Sequence, residues 1–531
     1  MKRALINAKI YQEKDHFAQA LLIENNIIQA VGTNEDITAL KPDEVIDCQG
    51  YTLIPGLNDS HSHLLMVTEL RQQLQLLDSF SIADILARGR AFLKHRPELT
   101  ALLGMGWNPA SFSEGEMRNL TRHDLDQIST DIPVLLTRAC GHMIVTNTRA
   151  LELAGVTSET KQIPGGLFEI DDDGPNGRFF ENALELVLHL QPTMSPPEMQ
   201  EALKETMKYA LSKGITTVQT NDIGLVRPLE EALAIYRSLY ASDAPSIKTV
   251  HQMCFDTPEA WEEFLNTTYH EELPEKMSWG PLKLFKDGSL GGRSALVNEA
   301  YQDAPGNFGL DVTPNEKAKR YIDIAKRYGR QVYTHCIGDK AMEEMLEAYQ
   351  PLTKNDRWGL VHCQITHPET LKTMADSGAI GVIQPIFLRS DITALQGAIS
   401  PALQASSYAW KTMLDLAIPI AVGTDSPVED LDPFINLYTA LKRRDPKGSS
   451  DSFYPEEELT IEQVIDGYTL GSAYAEFKED TKGRLKPGYV ADMVLLDRDI
   501  FTISPEDILN TKVLQTWVDG EILFQSDNFS L

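Results

Sequence analysis

The sequence predicts a (β/α)8 barrel, an α/β fold, carrying a small β-sandwich domain built from both chain ends and an inserted subdomain after the first barrel strand. Three observations predict it. Eight short apolar segments run through the centre of the chain, most of them separated by helical patterns, as parallel strands with crossover helices require. Both termini read as strands and turns. One interval, 64–214, is far too long for a single crossover helix.

The elements follow in order. Segments 20–23 and 27–31 flank Glu24-Asn25-Asn26, a hairpin turn because Asn tolerates positive φ. Strands 45–48 and 52–54 come next, and no helical period is found over 1–56. Segment 57–63 is the first barrel strand, followed by the insertion 64–214. The insertion holds apolar segments 102–107 and 133–138 and an acidic, turn-rich stretch, 171–177. An insertion at that point is expected over the active-site mouth, where it shapes the substrate pocket. The other barrel strands are 215–220, 247–253, 282–285, 331–335, 359–362, 379–383 and 419–425, with helical stretches such as 318–325 between them. After the turn Lys486-Pro487-Gly488 the chain returns to strands at 490–496, and 513–518 meets 521–524 across Asp519-Gly520, a strong hairpin signal. The expected domains are 1–56 and 483–531 for the two parts of the sandwich, and 57–482 for the barrel.

Composition narrows the partners. The 531 residues carry a net charge of −29, which disfavours nucleic acid and anionic membrane surfaces. The basic run Lys442-Arg443-Arg444 reads as a solvated helix end. No apolar run approaches the ~20 residues that span a bilayer, and the N-terminus lacks a sustained apolar signal region. A cytoplasmic protein acting on a small-molecule substrate is expected. Cys48, Cys140, Cys254, Cys336 and Cys363 are odd in number and far apart, so no disulfide framework is expected.

His61 and His63 stand two apart, so a strand projects both from one face. Paired imidazoles are half of a metal site. If the barrel forms, Lys283, His335, His362 and Asp425 sit beside them at other strand ends. Each has an ordinary alternative: a hydrogen-bonded core histidine, a salt-bridged lysine, or a helix cap for Asp425. The joint pattern is what points to chemistry.

Segments 54–63, 141–147 with Ala150-Leu151, 283–291, 334–339, 423–428 and 483–492 together resemble the amidohydrolase superfamily of metal-dependent hydrolases. The nearer likeness is to its YtcJ-like branch, which includes N-substituted formamide deformylases, and it covers nearly the whole chain. The resemblance implies that His61, His63 and Asp425 hold one metal and that His335 and His362 hold a second. It implies that Lys283 reacts with CO2 to form a carbamate bridging both ions. Lys286 is the rival, but residues three apart on a strand face opposite ways. Zinc is the expected metal, one or two ions per chain, with iron, manganese and nickel open. The implied reaction is hydrolysis of an amide-like C–N bond, an N-substituted formamide being one example, by metal-activated hydroxide with Asp425 as base. Carbamate, lactone or phosphotriester hydrolysis is the alternative, or a metal-loaded regulatory or binding protein without turnover. His142, Trp107 and Arg293 are expected to touch substrate, and a homodimer is implied. Cys336 and Cys363, directly after ligand histidines, are expected to face the helix layer as packing residues. The branch often has Ala at the position of Cys336 and Glu at that of Val361, so the surroundings of the ligands differ here.

Overall fold

In a computed structural model of the chain, all residues except 110, 111, 140, 449, 450, 528, 530 and 531 are described. The chain divides into two compact units, Met1–Val67 with Leu203–Leu531, and Thr68–Ala202. The first unit holds all eight barrel strands: β1 (Leu57–Ser62), β2 (Ile215–Ile223), β3 (Lys248–Met253), β4 (Met277–Phe285), β5 (Val332–Cys336), β6 (Gly359–His362), β7 (Ile380–Ile383) and β8 (Ile420–Val422). They pair in parallel in chain order. Parallel strands covered by helices bury both faces, which is why these segments read as apolar runs.

Among the described residues the seam between β8 and β1 carries no ladder, but it is pinned at its C-terminal end. Asp425 N–H donates to the His61 carbonyl, and His63 N–H to the Ser426 carbonyl, each at 2.7 Å. The Asp59 carboxylate accepts the Thr424 N–H (3.0 Å) and hydroxyl (2.6 Å). Gly423 is obligatory there, because a Cβ would lie 2.6 Å from the His61 nitrogen. The expected strand 419–425 therefore stops early, while β4 starts earlier than expected, at Met277, its Gly280-Pro281 pair having hidden it from the pattern.

A six-stranded sheet joins both chain ends. Glu521–Gln525, Val513–Val518 and Met493–Leu496 are followed across the sheet by Thr52–Pro55, Lys9–Glu13 and His16–Ala18. A four-stranded sheet from the N-terminal stretch packs on it through Leu21, Ile23, Leu53, Met493, Leu495 and Trp517. Both hairpin turns form as expected, with positive φ at Asn25 and at Asp519-Gly520. One expectation fails. A short helix, Asn34–Thr38, interrupts 1–56, started by a capping box between Thr33 and Asp36. A helix of 5 residues is too short to show a helical period.

The second unit is a six-stranded sheet, in the order Gly166–Asp171, Gly174–Glu181, Met143–Thr146, Val134–Arg138, Leu102–Trp107 and Leu74–Gln75. The acidic stretch 171–177 is the turn and second strand of its edge hairpin.

The basic run is not a solvated helix end. Arg443 caps helix Pro433–Lys442 in the left-handed conformation and is completely buried. Its guanidinium donates to the carbonyls of Phe453 (2.6 Å) and Tyr408 (2.8 Å) and lies over the Trp410 ring. Cys48, Cys254, Cys336 and Cys363 are free thiols, and Cys140 lies outside the described residues. Among the described residues no helix is long and apolar enough to cross a membrane.

Candidate metal centre

The C-terminal ends of the barrel strands gather the titratable side chains. His61 is the next-to-last residue of β1 and His63 follows the strand, both buried. Asp425 follows β8 with φ +56, and His362 ends β6 with φ +81. A side chain in the left-handed region costs on the order of 1–3 kcal/mol, and such strain gathers at functional sites.

Each histidine is oriented from behind. His61 Nδ1 donates to Gln252 Oε1 (2.7 Å), and the amide is itself fixed because Gln252 Nε2 donates to the Ser60 carbonyl (3.0 Å). His362 Nδ1 donates to Gln384 Oε1 (2.8 Å), whose Nε2 donates to the Val382 carbonyl (3.2 Å). His63 Nδ1 donates to the Asn221 carbonyl (2.9 Å). All three rings therefore present Nε2 forward. His63 Nε2 and His61 Nε2 stand 3.0 and 3.4 Å from Asp425 Oδ1, and His362 Nε2 stands 4.0 Å from Oδ2.

This arrangement fits a cation. Burial drives the His61 imidazolium down to about 3 and His362 well below its ordinary value, so both are neutral with lone pairs aimed at a carboxylate. Asp425 stays ionised: burial pushes it up, but the surrounding imidazoles of His61, His63 and His362 and the hydrogen bond from His63 carry it below the usual range. His63 alone is carried upward: burial pushes it down, but its hydrogen bond to Asp425 and that residue's charge outweigh the burial. The ligand atoms of His61, His63 and Asp425 lie within 4.8 Å of one another, and once His63 yields the proton it shares with Asp425 this donor set suits a divalent ion.

The remaining expected ligands surround this group. The His335 ring packs on His362 at 4.4 Å, and its Nε2 donates to the Gly288 carbonyl (3.0 Å), so Nδ1 is the nitrogen with a lone pair to offer. Burial takes His335 down to about 4. Asp287 braces the loops carrying it, accepting the N–H groups of Leu296, Ile337 and Gly338, and burial raises that carboxyl to about 7. Lys283 is buried, with Nζ 3.9 Å from the Phe285 ring centroid and, among the described residues, no closer acceptor than the Leu284 carbonyl at 3.5 Å. Burial lowers it to about 8, against the pull of Cys254 and Asp425. Lys286 points the other way, into a pocket made by Asp311 (2.8 Å), Glu344 (2.7 Å) and Asn315 (2.7 Å). Cys336 and Cys363 are buried, Cys336 Sγ lying 3.7 Å from the Ala341 carbonyl of the covering helix.

The three residues expected to touch substrate have the following places. His142 is exposed, its Nδ1 3.0 Å from Glu181. Trp107 is completely buried in the core of the second unit, its indole N–H donating to the Leu136 carbonyl. Arg293 grips Asp303 at 2.6 Å. Gln252, Gln384, Asn221 and Asp287 were not singled out from sequence. The one available signal was a polar residue at the end of an otherwise apolar strand.

A family model described as "Amidohydrolase family" matches residues 44–524. YtcJ of Bacillus subtilis (strain 168) is 31% identical over 522 residues, covering 97% of each chain. The N-substituted formamide deformylase of Arthrobacter pascens is 23% identical, covering 98% of this chain and 97% of its own. The crystal structure of an uncharacterized metal-dependent hydrolase from Pyrococcus horikoshii OT3 superposes with a TM-score of 0.76 at 25% identity, covering 95% of this chain and 99% of that one.

Proposed function

This chain belongs to the amidohydrolase family, and on that premise we propose that it is a zinc-dependent hydrolase of an amide-like C–N bond, with an N-substituted formamide as its candidate substrate. The coarser statement, a metal-dependent hydrolase, rests on the family and on the His61–His63–Asp425 group. Three imidazole nitrogens and a carboxylate are a donor set that zinc accepts. The formamide reading is supported by the end-to-end likeness to the deformylase.

A divalent ion held by these residues supplies a Lewis acid that polarises a carbonyl and brings the pKa of water toward ~7. The protein's own groups do the rest. Gln252, Gln384 and the Asn221 carbonyl hold the histidines in one tautomer. Asp425 accepts a proton from the attacking water and returns it to the leaving nitrogen, so that water and a formamide become formate and an amine. Phe387, stacked on His362 at 5.7 Å, and Phe285, against His335, give the ligands apolar walls.

Carboxylation of Lys283 belongs to this reading. The free amine attacks CO2, forming an N–C bond and releasing one proton to solvent. A lysine lowered to about 8, without a carboxylate partner at its Nζ among the described residues, keeps a useful share of free amine near neutrality. The resulting carbamate would be an anionic oxygen ligand beside His335 and His362.

The observation that carries the reading is the convergence of His61, His63 and His362 Nε2 on Asp425. The test is release of formate from a panel of N-alkyl and N-benzyl formamides by the zinc-loaded chain, with carbamates, lactones and phosphotriesters alongside. Turnover of a formamide that Asp425→Asn abolishes is expected. Turnover confined to the ester panel would replace the substrate class, and equal background rates in both proteins would remove the enzyme.

A further inference from the structure

The barrel's opposite end holds a second cavity. It has a volume of about 700 Å3 and opens where β4, β5 and β6 begin, with Trp279, Arg330, Gln331 and Trp358 in its wall. Barrel enzymes carry their chemistry at the other end of the strands, and the strand N-terminal face is ordinarily closed by packing. Here it is not: Ser278, Trp279 and Gly280 are only half-buried although they lie in a barrel strand.

The wall is built for a flat ring. Tyr269 stacks on Trp279 with an interplanar angle of 27° and accepts the Trp279 indole N–H at its carbonyl. Arg330 lies over the other part of this stack, its guanidinium carbon 4.1 Å from the Tyr269 ring centroid, with Nη1 donating to the Tyr269 hydroxyl. Trp358 also lines the cavity, almost wholly buried and packed at right angles to Tyr349.

Its cations stand apart from its acids. Arg330, Lys326 and Lys478 line the cavity, and none has a carboxylate partner among the described residues. The buried Nε–H of Arg330 has no hydrogen-bond partner among them either. Two of the nearby acids are already spoken for: Glu271 pairs with Arg237 (2.7 Å) and Glu476 with Lys482 (2.7 Å). That leaves Asp356, which caps the Thr353 turn. Around the cleft three cations thus stand without a carboxylate partner, while two of the three lining acids are paired with cations outside it, counted among the described residues. The exposed Lys326 and Lys478 keep their water, Lys326 also donating to the Gln350 carbonyl (2.6 Å), whereas the buried Nε–H of Arg330 is left short of an acceptor.

We propose that this cavity is a second ligand site, distinct from the metal centre, which binds a planar aromatic carboxylate. The ring stacks against Trp279 and Tyr269, and the carboxylate takes the free donors of Arg330 with Lys326 and Lys478 at the rim.

Calorimetric titration of the whole chain with naphthalene-2-carboxylate tests this, with the uncharged naphthalene-2-carboxamide as its isostere. The carboxylate is expected to bind one site and the amide to bind about tenfold more weakly or worse. Arg330→Gln is expected to cost the carboxylate about tenfold, and the exposed pair Lys326→Gln with Lys478→Gln about threefold. The lysine pair carries the test if the arginine variant does not fold. Asp425→Asn should leave binding unchanged. Equal affinity for acid and amide, no binding at millimolar ligand, or loss of binding in Asp425→Asn would overturn the proposal, the last by moving the ligand to the metal centre.

Discussion

His63 Nε2 lies 3.0 Å from Asp425 Oδ1, although the other ring nitrogen of His63 is already committed to the Asn221 carbonyl. Both ring nitrogens of His63 thus carry a proton here, and a divalent ion can take the place of the one shared with Asp425, bonding Nε2 and the carboxylate together. Elemental analysis of protein purified without chelator, with bicarbonate present, should therefore give one to two divalent ions per chain. Asp425→Asn should lower that ratio and reduce hydrolysis by about 100-fold or more. A chelator should lower the melting temperature and activity together, since a ligand that binds only the folded chain stabilises it. Failure to take up any ion when zinc is offered would end the metal assignment.

Gln252 and Gln384 repeat one device on different strands: an amide oxygen holds an imidazole Nδ1–H while the amide nitrogen is tied to the backbone. Replacing either by Leu frees the ring and leaves a buried donor unpaired. Metal affinity should fall about 10- to 100-fold in Gln252→Leu, read by competition with a chromogenic chelator. An unchanged affinity would mean that the glutamine only fills space.

Lys283 can react with CO2 only as the free amine, and its buried pKa is about 8. Uptake of a second ion should therefore depend on bicarbonate and should rise with pH as Lys283 deprotonates through that value. Intact-mass or carbon-13 measurements should find the added carboxylate, and Lys283→Ala should keep at most one ion, with short carboxylic acids restoring part of the activity. Full binuclear loading of Lys283→Ala without added acid would dismiss the carbamate.

The buried Arg443 makes a stability prediction. Its donors serve the carbonyls of Phe453 and Tyr408, and removing them strands the Phe453 oxygen in the interior, while the Tyr408 oxygen keeps only the Trp410 N–H. Arg443→Ala should cost about 3 kcal/mol or more in chemical unfolding, and Arg443→Lys should recover little, because a point charge cannot serve the same fork of acceptors. A loss within about 0.5 kcal/mol, as at a solvated surface site, would contradict the burial.

These residues also show what the sequence could disclose. The barrel was legible because strands buried on both faces are apolar runs, and the ligands because histidines and an aspartate closed those runs. The glutamines were not, since an amide at a strand end looks the same whether it holds an imidazole or a turn. Arg443 was misread because its burial depends on Tyr408, Trp410 and Phe453 folding over it, and no local pattern in a Lys-Arg-Arg run reports that. The helix at Asn34–Thr38 was missed for lack of length, though Thr33 and Asp36 already spelled its cap.

Asp391 gives a pH dependence away from the metal ligands. Burial raises its carboxyl to about 6, although the Tyr408 hydroxyl donates to it and opposes the shift. The folded pKa thus lies above the unfolded value, near ~3.9. Between those values the folded chain keeps a proton that the unfolded chain has released. The stabilisation is complete below about pH 4 and is lost as pH rises through about 6. An asparagine side chain at this position would still accept the Tyr408 hydrogen bond but cannot titrate, so Asp391→Asn should gain on the parent by about 2 kcal/mol between pH 4 and pH 7. Urea unfolding of both proteins at the two pH values measures this directly. A difference that does not change with pH would show that the buried carboxyl keeps an ordinary pKa, and that the Tyr408 hydroxyl and the Arg293 charge together offset the burial of the site.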